Sequence, residues 1–315
     1  MYQIQSTIDQ QKYTELINTI KLLNSEKKSL ISSQEYKLGS SVLQKIKQIE
    51  NMQLKQILNS IRANITTRRS RKHITVFPKD RADLPSNYFS EKKIAVYTCI
   101  TGKYDEPMDP LIFPDNCDYY IVTDRPEENR SCWKAIDIQS LGESVGALSN
   151  AEQNRFVKMH PDIVFPEYEY SVYVDGSIRI CTDLTECVNR ISNHGMAFYA
   201  HDLRDCVYDE INACLLVGKI TENEFIEHTN YLKSSDMPAH YGLPACGIIA
   251  RKHNDAICKK IMGEWWEEYL SHAKRDQLNL PLVLHNNHIS VCEVTTLGNN
   301  MYADPAYEFF KHTKQ

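Results

Sequence analysis

The chain of 315 residues carries 36 Lys and Arg against 41 Asp and Glu, a formal net charge of −5, with 42% hydrophobic and 24% charged residues, which is ordinary globular composition. Collagen-like, mucin-like and fully disordered chains are excluded, and no stretch approaches the ~20 consecutive apolar residues of a bilayer span. The opening Met1-Tyr2-Gln3-Ile4-Gln5 has neither the basic start nor the apolar run of a secretory signal, so the expected compartment is the cytoplasm.

At roughly 150 residues per domain, the length fits one large domain with an appendage, or two small domains. Charge divides the chain: residues 1–93 hold 17 Lys and Arg against 8 Asp and Glu, whereas residues 94–315 hold 19 against 33. The acidic second part disfavours nucleic acid as a partner. All 10 cysteines lie beyond residue 98 with no Cys-x-x-Cys among them, so a zinc ribbon is not expected, and in a chain without an export signal they read as reduced, buried, small apolar residues.

Residues 1–67 contain no proline and a single glycine, Gly39, and should form a helical extension. Leu38, Val42, Ile46, Ile49, Met52, Ile57, Ile61 and Ile65 recur at spacings near three and four, placing them on one stripe of a helix about 40 Å long. The stripe needs a partner surface, either a second copy in a homo-oligomer or the following domain. Residues 68–92 read as a basic linker. Its run Arg68-Arg69-Ser70-Arg71-Lys72 is either a solvated helix end or a peripheral contact with the inner face of an anionic membrane, worth about 4 kcal/mol at about 1 kcal/mol per basic residue.

From Lys93 the pattern becomes strand–helix alternation. Ile94 to Ile100 and Asp118 to Asp124 read as strands. Ser149 to His160 reads as a helix, with a cap at Ser149, its partner Glu152 and a stop at Pro161. Tyr170 to Val174, Ala197 to Ala200 and Gly247 to Ala250 read as further strands, and a helix is expected from Asn254 to about Lys274. Such alternation, with polar residues just after the strands' carboxyl ends, predicts an α/β sheet with its site along that edge.

Four clusters could carry chemistry. Val172-Tyr173-Val174-Asp175-Gly176-Ser177 places a carboxylate where a buried strand ends, beside a glycine that would let a ligand or metal approach; a plain turn is the bland alternative. Arg155 and Lys158, three apart on one helix face, suit the phosphates of a sugar diphosphate, or else pair at the surface with Glu152 or Asp162. The run His201 to Glu210, with Arg204 and Tyr208, is dense in donors and acceptors and suits a hydroxyl-rich acceptor. In Lys274-Arg275-Asp276-Gln277-Leu278, Asp276 is either a general base or the cap of the next helix. There is no dinucleotide fingerprint, P-loop, nucleophile elbow or zinc-protease motif.

These pieces, together with Val96 to Asp105, Tyr120 to Asp124, Arg155 to Pro161, Phe165 to Ser177 and Gly242-Leu243-Pro244, resemble a glycosyltransferase-like family, once catalogued only as a domain of unknown function. It includes plant turgor-regulation and mucilage-related proteins and bacterial surface-polysaccharide homologues. The resemblance runs from Lys93 to about Leu284. It implies a GT-A-like, Rossmann-like mixed sheet flanked by helices over residues 93–315, binding a nucleotide sugar, with UDP the expected nucleotide.

By similarity to family 8 glycosyltransferases, Arg155 matches a donor-binding helix arginine and Asp175 the first aspartate of an Asp-x-Asp metal motif for Mn²⁺ or Mg²⁺. The loop after the first strand, with Thr98, Ile100, Thr101, Gly102, Tyr104 and Asp105, would line the nucleoside pocket. Asp124, Lys158, Gly176 and Gln277 are the further donor-side expectations. Ser177 stands where the second aspartate is expected. Either metal affinity is reduced, or His285 or His288 completes the shell, or the cations replace the metal. His201, Arg204, Tyr208 and Glu210 are the expected acceptor-binding residues, with His201, Asp175 and Asp276 in catalytic roles. The expected activity is transfer of a hexose-type sugar to a glycan or lipid-linked acceptor in bacterial capsule or lipopolysaccharide synthesis. The alternative is an inactive scaffold in a polysaccharide assembly complex.

Overall fold

Seven consecutive residues, Ile94–Ile100, form the central strand β1, and all seven are buried. Successive side chains point to opposite faces of a strand. Ala95, Tyr97 and Cys99 therefore enter the core on one face, and Ile94, Val96 and Ile100 enter the core on the other. A strand covered on both faces belongs to a parallel sheet within an α/β fold. The computed structural model describes residues 93–128 and 130–310; the helical extension and basic linker expected over residues 1–92 lie outside the described residues.

Strand β2 (Cys117–Thr123) flanks β1 on one side and β4 (Tyr170–Val174) on the other, with β3 (Lys134–Asp137) beyond β2. Together with β6 (Met196–Ala200) and β7 (Pro244–Arg251) they form a six-stranded sheet in the order β3-β2-β1-β4-β7-β6. Only β7 runs against its neighbours. A separate ribbon pairs β5 (Ile178–Ile180) with β8 (Tyr307–Phe309). The expected bounds of β1 and β4 coincide with those observed, because each is rich in β-branched and aromatic residues and contains no glycine or proline. Strand β7 is longer than Gly247 to Ala250 because Pro244 is its first residue, a position where a proline costs no ladder bond.

The helices are α1 (Glu143–Gly146), α2 (Asn150–Met159), α3 (Pro161–Val164), α4 (Thr185–Asn189), α5 (Val207–Leu216), α6 (Glu222–Ser234), α7 (Ala256–Ser271), α8 (Asp276–Asn286) and α9 (Val291–Val294). The α2 start follows the sequence: the Ser149 hydroxyl accepts from the Glu152 amide, and the Glu152 carboxylate accepts from the Ser149 amide. Such a reciprocal cap is worth about 1 kcal/mol. Pro161 ends α2 and then opens α3, where its missing N–H costs nothing. Helix α7 starts at Ala256, later than expected, because Asp255 caps it by accepting from Ile257 and Cys258. Helices α5 and α6 are absent from the sequence reading.

Helices α2 and α7 cover one face of the sheet, where Val157, Met159, Trp265 and Tyr269 meet Tyr97, Tyr173 and Ile249. Helix α4 and the ribbon cover the other with Leu184, Cys187, Val188 and Tyr307. A third cluster, including Val207, Ile211, Leu232, Leu278 and Leu282, packs α5 and α6 against α8. Arg251 is fully buried and ties α2 to the sheet, donating to the Lys158 carbonyl at 2.6 Å and the Tyr97 hydroxyl at 2.5 Å. Seven of the ten cysteines are buried. Among the described residues, no helix is long and apolar enough to cross a membrane.

The core sets a pH dependence. His253 is buried, with Nε2 donating to the Phe165 carbonyl at 3.0 Å and Nδ1 without a partner among the described residues. Burial pushes its pKa down to about 4, and His228 is pushed down equally by burial. The unfolded chain, with histidine near 6.5, takes up protons between those values and the folded one does not. Stability is therefore full above about pH 6.5 and declines as the pH falls toward 4, by about 1.4 kcal/mol per histidine and pH unit. Urea denaturation at pH 6.8 and 5.2 should show this loss, and His253→Gln should make it shallower. An unchanged pH dependence in the variant would remove His253 from the account.

Candidate functional site

Strands β1 and β4 deliver their carboxyl ends to one edge of the sheet, and β7, being reversed, delivers its amino end to the same edge. There the Asp175 amide donates to the Gly247 carbonyl at 2.9 Å. A cleft of about 330 Å³ opens at this point. Arg155 and Lys158 of α2 and Arg275, Asp276 and Gln277 at the start of α8 line one side. Ala200, the last residue of β6, and His201 and Asp202 just after it also line the cleft.

Asp276 is the electrostatic centre. Its Oδ2 lies 2.6 Å from Lys158 Nζ and 3.1 Å from Arg155 Nε, across 118 residues of sequence in the first case. Burial alone would raise its pKa, but Arg155, Lys158 and Arg275 outweigh burial and hold the carboxyl well below the usual carboxylate range. A general base works best with a pKa near the working pH. A carboxylate gripped by two cations is a poor proton acceptor, which corrects the base expected at Asp276. The cap reading fails as well, since Arg275 holds the cap position and Asp276 is the first helical residue. Nor are the two cations surface groups: Lys158 is 2% exposed, Glu152 pairs with Lys274 at 3.2 Å, and Asp162 faces His160 and Lys259.

Asp175 stands beside this trio, more open to solvent. Its Oδ1 accepts from the Tyr173 hydroxyl at 2.8 Å and lies 3.7 Å from Lys158 Nζ. Gly176 follows for packing reasons. A Cβ there would meet Ile100 Cδ1 at 2.7 Å, so the strand end lies against Ile100, where the sequence reading expects an open approach for a ligand.

Mn²⁺ or Mg²⁺ would need oxygen donors grouped around Asp175. Ser177 and Asp202 line the cleft with Asp175, whereas His285 and His288 do not. Those two lie at and beyond the far end of α8, which at 1.5 Å per residue is about 16 Å long. Among the described residues no three His, Cys, Asp or Glu are grouped to hold a metal. A hard cation here would have to be held by one or two carboxylates together with ligand phosphates, as magnesium is commonly held, and His288, away from the cleft, would not close its shell.

The end of β1 and the loop after it form a neighbouring group that does not line the cleft. Thr98, Ile100, Thr101 and Asp105 are buried, and Tyr104 is half exposed. The Thr101 hydroxyl donates to the Asn150 carbonyl at 3.1 Å, and the Gly102 amide to Asp124 Oδ2 at 3.0 Å. Gly102 is required there: its φ is +65° and a Cβ would collide with the Asn150 side chain. Asn154, adjoining Arg155, donates to the Cys99 carbonyl at 2.6 Å, which ties the loop to α2.

Of the expected acceptor group, His201 alone lines the cleft. Its Nδ1 accepts from the Leu203 and Arg204 amides at 3.1 Å each, which assigns the proton to Nε2, 3.7 Å from Glu210. Burial lowers its pKa and favours the neutral ring. Arg204 and buried Glu210 form an ion pair at 2.5 Å behind it. The Tyr208 hydroxyl donates to the Met237 carbonyl at 2.8 Å, a bond that fastens α5 to the segment after α6, and Tyr208 does not line the cleft. Sequence reasoning missed Lys219, Tyr302, Phe309 and Phe310, and it gave no individual role to Asp202 and Arg275, which lie inside runs it singled out; all six line the cleft. Arg275 adjoins a residue already singled out, whereas nothing local marks Lys219 or the C-terminal aromatics.

The sequence matches the family described as TOD1/MUCI70, glycosyltransferase-like domain, over residues 44–314. The chain belongs to this family. The match extends beyond the span from Lys93 to Leu284 that carries the resemblance and takes in part of the region placed outside it. No curated protein matches the chain.

Among solved structures, the TOD1/MUCI70 chain is similar to the apo form of the WbbM bifunctional glycosyltransferase, with a TM-score of 0.37, 9% identity, and 69% of this chain and 40% of that one covered. It is similar to apo mouse xyloside xylosyltransferase 1, with a TM-score of 0.35, 8% identity, and 62% and 82% covered. It is also similar to the apo glycosyltransferase GlyE of Streptococcus pneumoniae TIGR4, with a TM-score of 0.33, 9% identity, and 66% and 45% covered. The chain thus spans less than half the length of the WbbM and GlyE chains. The mixed sheet flanked by helices is the architecture that the family resemblance implies.

Proposed function

We propose that this TOD1/MUCI70 domain transfers a hexose-type sugar from a nucleoside diphosphate, UDP first among the candidates, to a glycan or lipid-linked acceptor in bacterial capsule or lipopolysaccharide synthesis. The observation that carries this reading is the charge pattern of the cleft. Arg155, Lys158, Arg275 and Lys219 surround Asp175, Asp202 and Asp276 at the carboxyl edge of a mainly parallel sheet, where α/β folds bind their ligands.

Four cations against three carboxylates leave one positive charge, which suits an anionic ligand. Arg155 and Lys158 are engaged by Asp276, so the groups best placed to meet a departing diphosphate are Arg275 and Lys219 on the cleft wall. Among the described residues Arg275 Nε, like Arg155 Nε, is buried without a hydrogen-bond partner, and a buried donor left unpaired is costly unless a ligand satisfies it. Asp175, with the Ser177 hydroxyl, would hold Mn²⁺ or Mg²⁺, whose chemistry is to neutralise charge developing on the diphosphate. Asp276 keeps Arg155 and Lys158 in place and, with Gln277, would sit beneath the sugar ring. If the acceptor hydroxyl loses its proton to a carboxylate on the cleft, Asp202 replaces Asp276 as first candidate. For a lipid-linked acceptor, the basic run at residues 68–72 would bias the protein toward an anionic membrane.

Incubation with UDP-, GDP- and CDP-sugars and a panel of glycan acceptors, scored by release of the nucleoside diphosphate, tests the reading. Release with one donor supports it, and no release from folded protein favours the scaffold. Arg275→Ala should weaken donor binding by about 10-fold, the scale of a charge-assisted hydrogen bond. Unchanged donor affinity would take Arg275 out of the donor site.

A further inference from the structure

One wall of the cleft differs in chemistry from the rest. Met301, Tyr302, Phe309 and Phe310 line it, and the transfer chemistry described above uses none of them. Tyr302 is 59% exposed and Phe310 38%, and large exposed aromatic side chains grouped on a cleft wall point to a binding role. Both are held in position. The Phe310 amide donates to the Ser177 carbonyl at 2.8 Å, which joins this wall to the segment carrying Asp175. The Arg179 guanidinium lies 5.1 Å from the centre of the Phe310 ring. The Asn300 side chain accepts from the Tyr302 and Ala303 amides at 2.9 and 3.2 Å, and the Tyr302 ring packs 4.6 Å from that of Phe309, centre to centre.

The neighbouring charges separate two kinds of aromatic-binding ligand. Asp202, whose carboxylate lies 3.6 Å from His201 Nδ1, lines the cleft together with Tyr302, whereas Arg155 and Lys158 lie 3.1 and 2.6 Å from Asp276. Phosphates are drawn to the cationic side and repelled from the acidic one. A neutral ring bearing hydroxyls suits the acidic, aromatic side: the hydroxyls donate to carboxylates while polarised C–H bonds pack on the negative face of an aromatic ring. That pairing of faces is the chemistry of a pyranose.

We propose that Tyr302 and Phe310 form a stacking platform for a pyranose ring of the acceptor glycan, beside the donor cleft. The assignment to the acceptor rests on the glycosyltransferase reading, whereas sugar stacking itself does not require turnover. The acceptor side of the site then comes mainly from the C-terminal segment and Asp202, with His201 the one contributor from the group expected in the sequence.

Saturation-transfer NMR tests this without turnover. Protein aromatic protons are irradiated in the presence of methyl glycosides of glucose, galactose, mannose and N-acetylglucosamine, and UDP affinity is measured in parallel by titration calorimetry. In the wild-type protein, at least one glycoside should receive saturation on its ring C–H protons. Tyr302→Ala and Phe310→Ala should each weaken that glycoside by about 5- to 10-fold, and Tyr302→Trp should retain it. Both variants should keep wild-type melting curves and UDP affinity. The proposal is overturned if no glycoside receives saturation, if the signal persists in both alanine variants, or if UDP affinity falls with it, which would make the platform a nucleobase site. A glycoside bound in this way by a protein that releases no nucleotide from any donor would refute catalysis and leave the platform standing.

Discussion

Asp276→Asn is expected to destabilise the domain by about 3–5 kcal/mol, the cost of removing one member of a buried charge pair. The substitution keeps the size of the side chain and removes the negative charge that Lys158, 2% exposed, and Arg155 share. Two cations then remain in a buried site without their counter-charge. Replacing Lys158 by Met in the same protein removes one of them and should recover most of the lost stability, because an apolar group of similar volume is tolerated where an unpaired charge is not. Turnover should remain lost in the double variant, since Arg155 is no longer anchored. Urea unfolding of the two variants and the wild type separates these terms, and wild-type stability in Asp276→Asn would contradict the buried trio. Acid offers a second view. Because the cations hold the Asp276 carboxyl below its usual range, its contribution to stability is complete above about pH 4 and is lost as the pH falls toward the folded value.

Asp175→Asn should give the opposite signature, with transfer reduced by about 100- to 1,000-fold, as for loss of one preorganised group facing developing charge. Stability should change by less than about 1 kcal/mol, the range for a partly exposed polar exchange. The side chain is 38% exposed, and an asparagine retains the oxygen that accepts from Tyr173. What is lost is the charge that faces the cleft. Steady-state kinetics beside a melting curve makes the comparison, and a stable variant with wild-type turnover would remove Asp175 from the chemistry. The two aspartates, close in space, thus differ in kind: one holds the site together and the other faces the ligand.

Strands β1 and β4 were legible because each is a mainly apolar, β-branched and aromatic run without glycine or proline, and helix α2 because its cap residues contact each other within one turn. Arg155, Lys158 and Asp175 could be grouped because α2 and β4 are near neighbours in the chain. The partner of the two cations could not be read in the same way. Asp276 reaches Lys158 across 118 residues, and no local pattern distinguishes a carboxylate that anchors cations from one that takes up a proton. Gly176 carried a misleading signal, since a packing contact with Ile100 and an open approach for a ligand both demand the same residue. The position of Tyr208 away from the cleft was not legible because the polarity of the run from His201 to Glu210 does not reveal which side chains turn back onto backbone carbonyls. The C-terminal wall was invisible because Tyr302 and Phe310 acquire meaning only through the pairing of β8 with β5, which brings residues 307–309 beside residues 178–180.

The most direct test of the donor site is titration calorimetry of the protein with UDP, GDP, CDP and their common sugar conjugates, each with and without Mn²⁺, for the wild type and Asp175→Asn. The expected result is one nucleotide that binds, binds more tightly with Mn²⁺, and loses that enhancement in the variant. Absence of binding by every nucleotide, or binding that Mn²⁺ strengthens equally in Asp175→Asn, would contradict the placement of a sugar nucleotide and its metal at this cleft.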